Sequence, residues 1–297
     1  MSLSSFMPSA QHSIKTGQFR TGTFTGVRQL QLYYQVWLPS GPTKANIILI
    51  HGLGEHIDRY HHVAKTFNQS GYALWAFDNL GHGRSDGQRG HIERWSDYTE
   101  NIGQFLTLVK AQSPHYPCFI YGHSLGALMT LVYVLKQPEG LGGLVLSAPP
   151  IQPSGVEKPW IKAFAKTFSQ LLPRLSLSLG LGTESLSRDP KVVRRAEADP
   201  LMHSVATLRW GTETIDAIAT VRENAHQLRL PILLLHGDAD KISDVSGSHE
   251  LFEAITYSDK TLLIYPDSYH ELHNDLERDQ VLQDIVIWLD NHLPSHP

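Results

Sequence analysis

The chain contains one cysteine, Cys118, so it cannot form an internal disulfide. The apolar residues around Cys118 predict a thiol that fills the core, and a single unpaired cysteine agrees with a reducing compartment. No apolar run approaches the roughly 18 residues of a membrane-spanning helix, and no basic segment followed by an apolar stretch opens the chain. We therefore expect a cytoplasmic protein whose membrane contact is at most peripheral and transient.

Runs of basic residues are also missing. Lysine and arginine total 25 against 29 acidic residues, for a net charge of -4, which argues against nucleic acid as a partner. The composition, 41% hydrophobic and 18% charged, excludes disordered and fibrous classes and is typical of a soluble globular protein. No feature indicates an oligomeric state.

Short apolar runs alternate with helical patterns along the chain. The runs lie at residues 45–53, 72–81, 118–124, 143–149, 231–240 and 260–267. Such runs are typical of strands buried on both faces of a parallel sheet. Helical patterns lie at residues 98–110, 125–135, 245–254 and 281–292. Together with an alternating, antiparallel-type strand at residues 30–39, the pattern predicts a doubly wound α/β fold.

One long stretch, residues 151–230, breaks this alternation because it has no convincing buried strand. It predicts an inserted helical subdomain at 151–229, between two core parts at 1–150 and 230–297. Apolar residues stand there at near-helical spacing: Trp160, Ile161, Phe164, Phe168, Leu171 and Leu172.

That apolar pattern has two interpretations. The helix either covers the core as an ordinary amphipathic helix or forms a substrate lid through Trp160, Phe164 and Phe168. The biased stretch "LSLSLGLG" that follows predicts a flexible part of this lid.

The candidate nucleophile is Ser124, in the sequence "GHSLG". This pentapeptide alone is weak evidence, but here it follows a strand pattern and precedes a helical one. Glycines at 122 and 126 suit the sharp turn that such a strand-to-helix elbow requires. A serine there lies at the carboxyl edge of the sheet and at a helix N-terminus, where a developing oxyanion is stabilised.

A serine nucleophile needs a base and an acid that orients the base. Both candidates follow Ser124 in the order serine, acid, histidine. The acid is Asp238 or Asp240, after the next-to-last predicted strand, and the base is His270 or His273, after the last one. The residue pattern alone leaves both choices open.

The turn "HGLGEH" at residues 51–56 predicts the oxyanion hole, with the Leu53 amide beside that of Leu125. A dinucleotide-binding interpretation fails because the third glycine is missing. A metal site built from the nearby histidines has no H-E-x-x-H type spacing to support it.

The segments "HGLGEHIDRY", "AFDNLGHGRSDGQRGHI", "YGHSLGA", "GDADKISD" and "SYHELHND" together resemble the monoacylglycerol lipase and lysophospholipase branch of the α/β-hydrolases, a serine aminopeptidase type of hydrolase. The resemblance implies a mostly parallel eight-stranded sheet with helices on both faces and an inserted helical cap. It selects Asp240 as acid and His270 as base beside Ser124, with oxyanion amides at Leu53 and Leu125. It is weakest across residues 151–230.

We accordingly expect a serine carboxylester hydrolase that cleaves monoacylglycerols, small-molecule lipid esters, through an acyl-enzyme and without a metal or organic cofactor. Lysophospholipids, short-chain esters, carbon–carbon bonds and proline peptides are alternative substrates, because one fold supports many reactions. A catalytically silent binding protein of the same fold is the alternative from another class. A complete candidate triad argues against it.

Overall fold

The computed structural model describes residues 19–152, 169–180 and 182–294. The strands in this part of the chain are β1 (Phe19–Thr25), β2 (Gln31–Trp37), β3 (Ala45–Ile50), β4 (Tyr72–Phe77), β5 (Cys118–His123), β6 (Gly143–Ser147), β7 (Ser176–Ser178), β8 (Val205–Thr207), β9 (Ile232–Gly237) and β10 (Lys260–Tyr265). The α-helices in it are α1 (His61–Gln69), α2 (Ser96–Gln112), α3 (Leu125–Val134), α4 (Pro190–Ala198), α5 (Leu208–Asn224), α6 (Val245–Ala254) and α7 (Arg278–Asn291).

Eight strands form one sheet in the order β1-β2-β4-β3-β5-β6-β9-β10. The strands from β4 to β10 in this order run parallel, while β2 is antiparallel to both of its neighbours. The central strands are buried along their whole length, because helices cover both faces and leave no side of a strand in water. The predicted fold class is confirmed.

Alternation along β3 divides the core into two layers. Ile48 and Ile50 pack on one face with α2 and α3, whereas Ile47 and Leu49 pack on the other with α1 and α7. Because successive strand residues point to opposite faces, one run of apolar residues supplies both layers. Because the strands from β4 to β10 in the sheet order run parallel, they end at the same edge of the sheet, and the loops that follow them lie close together there.

Between β6 and β9, the described residues contain α4, α5 and the two-stranded ribbon of β7 and β8. Residues 176–178 pair with 205–207, so they form a strand where the sequence predicts flexibility. The predicted lid residues Trp160, Phe164 and Phe168 lie outside the described residues. Within the described ranges, no helix has both the length and the apolar character to cross a membrane.

Candidate active site

Ser124 lies between β5 and α3 with φ 52° and ψ -121°, a strained conformation for a residue with a side chain. The neighbouring glycines make this turn sterically feasible. A Cβ added to Gly126 would lie 2.0 Å from the Ile50 carbonyl oxygen, and one added to Gly122 would lie 2.7 Å from the backbone of Ala127. Only glycine at both positions lets α3 begin this close to the sheet, as the sequence predicts.

The structure brings Ser124, His270 and Asp240 into one chain of hydrogen bonds. Ser124 Oγ lies 2.8 Å from His270 Nε2, and His270 Nδ1 lies 2.6 Å from Asp240 Oδ2. The acid follows β9 and the histidine follows β10, two adjacent parallel strands that end at the same edge. This is the geometry that a serine nucleophile needs, with a base in contact and an acid that orients the base.

The other two candidates lie away from the serine. The Asp238 carboxylate accepts a hydrogen bond from the Asp267 amide at 2.6 Å and thereby closes a turn between the loops after β9 and β10. His273 is buried, and its ring stacks on Tyr60 with the ring centroids 4.6 Å apart. Neither side chain is hydrogen-bonded to His270 or Ser124 in the described part of the chain.

Electrostatics favour an ionised acid and a basic imidazole. Burial raises the pKa of the Asp240 carboxyl, but the charge of His270 and hydrogen bonds from His236 and His270 hold that pKa well below its ordinary value. Burial lowers the pKa of His270, yet the adjacent Asp240 carboxylate raises it above the ordinary value overall. The imidazole is therefore a better proton acceptor than an isolated histidine.

A second histidine, His236, is also hydrogen-bonded to the Asp240 carboxylate. Its Nε2 lies 3.1 Å from Asp240 Oδ2 and 3.0 Å from the Ser243 carbonyl oxygen, so Nε2 carries the proton. The other ring nitrogen lies 2.6 Å from Ser248 Oγ. Asp240 Oδ1 accepts hydrogen bonds from the backbone amides of Ile242 and Ser243. Sequence reasoning missed His236, because β9 is buried along its whole length and nothing in the sequence distinguishes this histidine from one that only packs in the core.

The turn at residues 51–56 follows β3, and we call it the oxyanion turn after its predicted role. Glu55 accepts a hydrogen bond from the Gly52 amide at 2.6 Å, which fixes the turn. No acceptor among the described residues takes the amide hydrogens of Leu53 or Leu125, and both residues line the same cavity as Ser124. Two free amides beside a nucleophile are the donors that an oxyanion hole requires.

A buried ionic cluster, which sequence reasoning also missed, connects the oxyanion turn to the loop of His270. Arg59 donates to both oxygens of Glu271, at 2.5 and 2.7 Å, and to Glu55 at 3.1 Å. Burial alone would raise the pKa of both the Glu55 and the Glu271 carboxyl, and the Arg59 charge opposes this effect at each of them. Glu55 keeps a raised pKa, whereas the Arg59 charge and hydrogen bonds lower that of Glu271 to about 2. Through these ion pairs Arg59 contacts both loops directly.

A cavity of about 530 Å³ opens at Ser124. Its apolar lining includes Leu179, Trp210, Ile215, Ile218 and Ile242, and its volume lies in the range typical of small-molecule sites. Within the described ranges, no group of three or more histidine, cysteine or acidic side chains is placed to hold a metal.

The eight-stranded sheet, the serine elbow and the hydrogen-bonded serine, histidine and aspartate define the class, an α/β-hydrolase of the serine type. The profile of the family described as serine aminopeptidase, S33, matches residues 41–277. The chain belongs to this family.

The chain is also similar over most of its length to individual monoacylglycerol lipases. A monoacylglycerol lipase of Mycolicibacterium smegmatis is 32% identical over 91% of this chain and 97% of its own length. The rat monoglyceride lipase is 31% identical over 88% of each chain. The crystal structure of the Paleococcus ferrophilus monoacylglycerol lipase superposes with a TM-score of 0.79 at 32% identity, covering 93% of this chain and 99% of the other.

Proposed function

We propose that this chain is a carboxylic ester hydrolase that cleaves monoacylglycerols, with Ser124 as nucleophile, His270 as base and Asp240 as orienting acid. The observation that carries the proposal is the continuous hydrogen bonding from Ser124 through His270 to Asp240. Relatives of about the same length, named monoacylglycerol lipases, support the substrate. The largely apolar cavity suits an acyl chain.

The first half of the reaction forms an acyl-enzyme. Ser124 Oγ attacks the ester carbonyl carbon while its proton moves to His270 Nε2. The Leu53 and Leu125 amides bind the oxyanion, and Asp240 stabilises the imidazolium. The carbon–oxygen bond to glycerol then breaks, and His270 gives the proton to the departing alkoxide oxygen.

Water completes the cycle. His270 takes a proton from a water molecule as the water oxygen attacks the acyl carbon. The second tetrahedral intermediate collapses, the fatty acid leaves, and Ser124 Oγ recovers a proton from His270. The mechanism as proposed needs only the side chains and amides named above.

We assign residues 151–229 as a cap that also contacts lipid surfaces. Leu175, Leu177 and Leu179 alternate along and beside β7 and are 47%, 49% and 38% exposed, and Leu179 also lines the cavity. Exposed leucines at a cavity that takes lipid esters favour peripheral membrane contact.

Co-sedimentation with phosphatidylcholine vesicles tests this contact. Binding should weaken at least about tenfold in the double variant Leu175→Ser/Leu177→Ser, since each leucine contributes about 1.5–3 kcal/mol when fully buried. Ile287→Ser is the control, and equal losses in both variants would refute this contact.

Fatty acid release tests the substrate. Purified protein is incubated with four substrates. Three of them share one long acyl chain, a monoacylglycerol, a lysophosphatidylcholine and an ethyl ester, and the fourth is a short butyryl ester. We expect the monoacylglycerol to give the highest kcat/KM and Ser124→Ala to give none. Faster turnover of the lysophospholipid or of the butyryl ester would replace this proposal with one of the two alternative activities.

A further inference from the structure

The cavity beside Ser124 has two walls of different chemistry. One wall comes from α5, which contributes mainly apolar residues, among them Trp210, Ile215 and Ile218. The other comes from the chain between residues 183 and 204, whose polar lining residues we call the polar wall; these are Thr183, Glu197, Asp199, His203 and Ser204, beside the apolar Leu186, Ala196 and Met202. An ester with an acyl chain at one end and a polar alcohol at the other fits this division in one orientation, with the alcohol against the polar wall.

Hydrogen bonds attach the segment of the polar wall to the loops that carry the candidate catalytic groups. The His203 amide donates to the Gly54 carbonyl at 2.9 Å, and His56 Nε2 lies 2.9 Å from Asp199 Oδ2, so the wall is attached to the oxyanion turn. On the other side, the Glu271 amide donates to the Leu186 carbonyl at 2.8 Å, next to His270. The segment that carries the polar wall is therefore attached to the loops on both sides of Ser124, the oxyanion turn and the loop of His270.

Four acidic residues in the described ranges line the cavity. Glu197 and Asp199 join the buried Glu55 and Glu271, and Arg59 is already paired with both buried carboxylates. Burial raises the pKa of Asp199, but the Leu201 amide and His56 hold that pKa below its ordinary value. No lysine or arginine is present among the cavity-lining residues that the structure describes.

We propose that Glu197 and Asp199 select the alcohol half of the substrate, accepting hydrogen bonds from the hydroxyls of a neutral polyol and repelling an anionic phosphate. The inference rests on the proposed ester hydrolysis and adds a head-group preference to it. Hydroxyl donors form charge-assisted hydrogen bonds with carboxylates, which are about twice as strong as neutral ones. A phosphate monoester carries a charge of about -1.5 to -2 at neutral pH and is disfavoured beside the same oxygens.

The experiment varies one charge and three head groups. Monolauroylglycerol, lauroyl lysophosphatidate and ethyl laurate share one acyl chain and are assayed below their aggregation limits. Each kcat/KM is divided by that for ethyl laurate, because the ethyl head group of this ester carries no free hydroxyl and no charge. The variants are Glu197→Gln and Glu197→Lys, which change the charge in two steps on an exposed residue at the end of α4. Glu184→Lys is the control, an exposed cap acid that is not among the cavity-lining residues.

We expect the relative kcat/KM for lysophosphatidate to rise about threefold in Glu197→Gln and about tenfold in Glu197→Lys, and the relative value for monolauroylglycerol to fall in both. Added salt should shrink the difference between wild type and Glu197→Lys, because it screens charges at an exposed rim. The Glu184→Lys variant should follow wild type.

Two failures are distinguishable. If the wild type hydrolyses ethyl laurate but not monolauroylglycerol, the proposed function is wrong and this inference falls with it. If monolauroylglycerol is hydrolysed but the lysophosphatidate ratio stays constant across the Glu197 series, or changes equally in Glu184→Lys, only the head-group inference is overturned.

Discussion

Replacing His236 tests how the acid of the triad is held. His236→Leu removes the N–H that reaches Asp240 Oδ2 at 3.1 Å, and leaves His270 and two backbone amides as donors. A hydrogen bond to an ionised group contributes about 1.5–3 kcal/mol, equivalent to about 10- to 150-fold in rate. Because three donors still restrain the carboxylate, we expect kcat to fall toward the lower limit, by about tenfold.

The pH profile gives the sign of the effect. With one donor fewer, the Asp240 carboxylate is more basic and stabilises the His270 imidazolium more strongly, so the pKa of His270 rises further. The acid limb of kcat/KM should therefore move to higher pH in His236→Leu. Lost packing alone would lower the melting temperature but would not move this limb.

The assay uses a soluble butyryl ester, with thermal unfolding to confirm a folded protein. His236→Gln keeps an amide donor toward Asp240 and should recover most of the lost rate. His249→Leu, at an exposed position on α6, is the matched control. Wild-type kcat with an unmoved acid limb in His236→Leu, or a glutamine variant as impaired as the leucine variant, would refute this role for His236.

Three further predictions concern the acid, the base and the lid. Asp240→Asn should lower kcat by about 10³ or more and Asp238→Asn by less than about threefold; a larger loss at Asp238 would reverse the assignment. In the wild type, kcat/KM should fall as the pH drops through a pKa above the ordinary 6.5 of His270, because only the neutral imidazole accepts a proton; a midpoint below 6.5 would contradict the raised pKa. The Phe164→Ser/Phe168→Ser variant should lose at least about tenfold more kcat/KM for a lauroyl than for a butyryl monoacylglycerol, since each buried methylene contributes about 0.8 kcal/mol. Equal losses would make that segment ordinary core packing.

The sheet and the serine elbow are predictable because local sequence determines them. Continuous apolar runs can only be buried strands or helices, and their length and flanking turns select strands. Gly122 is required by a close backbone contact within the same strand-turn-helix unit, with Ala127, and Gly126 by one with Ile50 at the end of the adjacent strand β3. The order of acid and histidine after the last two strands then limits the triad to few candidates.

The parts that sequence reasoning missed depend on contacts between distant segments. Arg59 and Glu271 are 212 positions apart, and neither is distinguishable in the sequence from a surface residue. Helix α5 contains glycine and several threonines, which weaken its helical pattern, and only packing of its Ile218 and Val221 in the core shows its buried face. The strands β7 and β8 are three residues each, too short for a periodic signal.

Covalent labelling of the nucleophile tests the central claim most directly. The folded protein is treated with a fluorophosphonate probe, which reacts with activated serines, and the labelled peptide is identified by mass spectrometry. We predict one labelled site, Ser124, with no labelling and no monoacylglycerol hydrolysis in a folded Ser124→Ala variant. Labelling at another serine, or label and turnover retained in Ser124→Ala, would contradict the account.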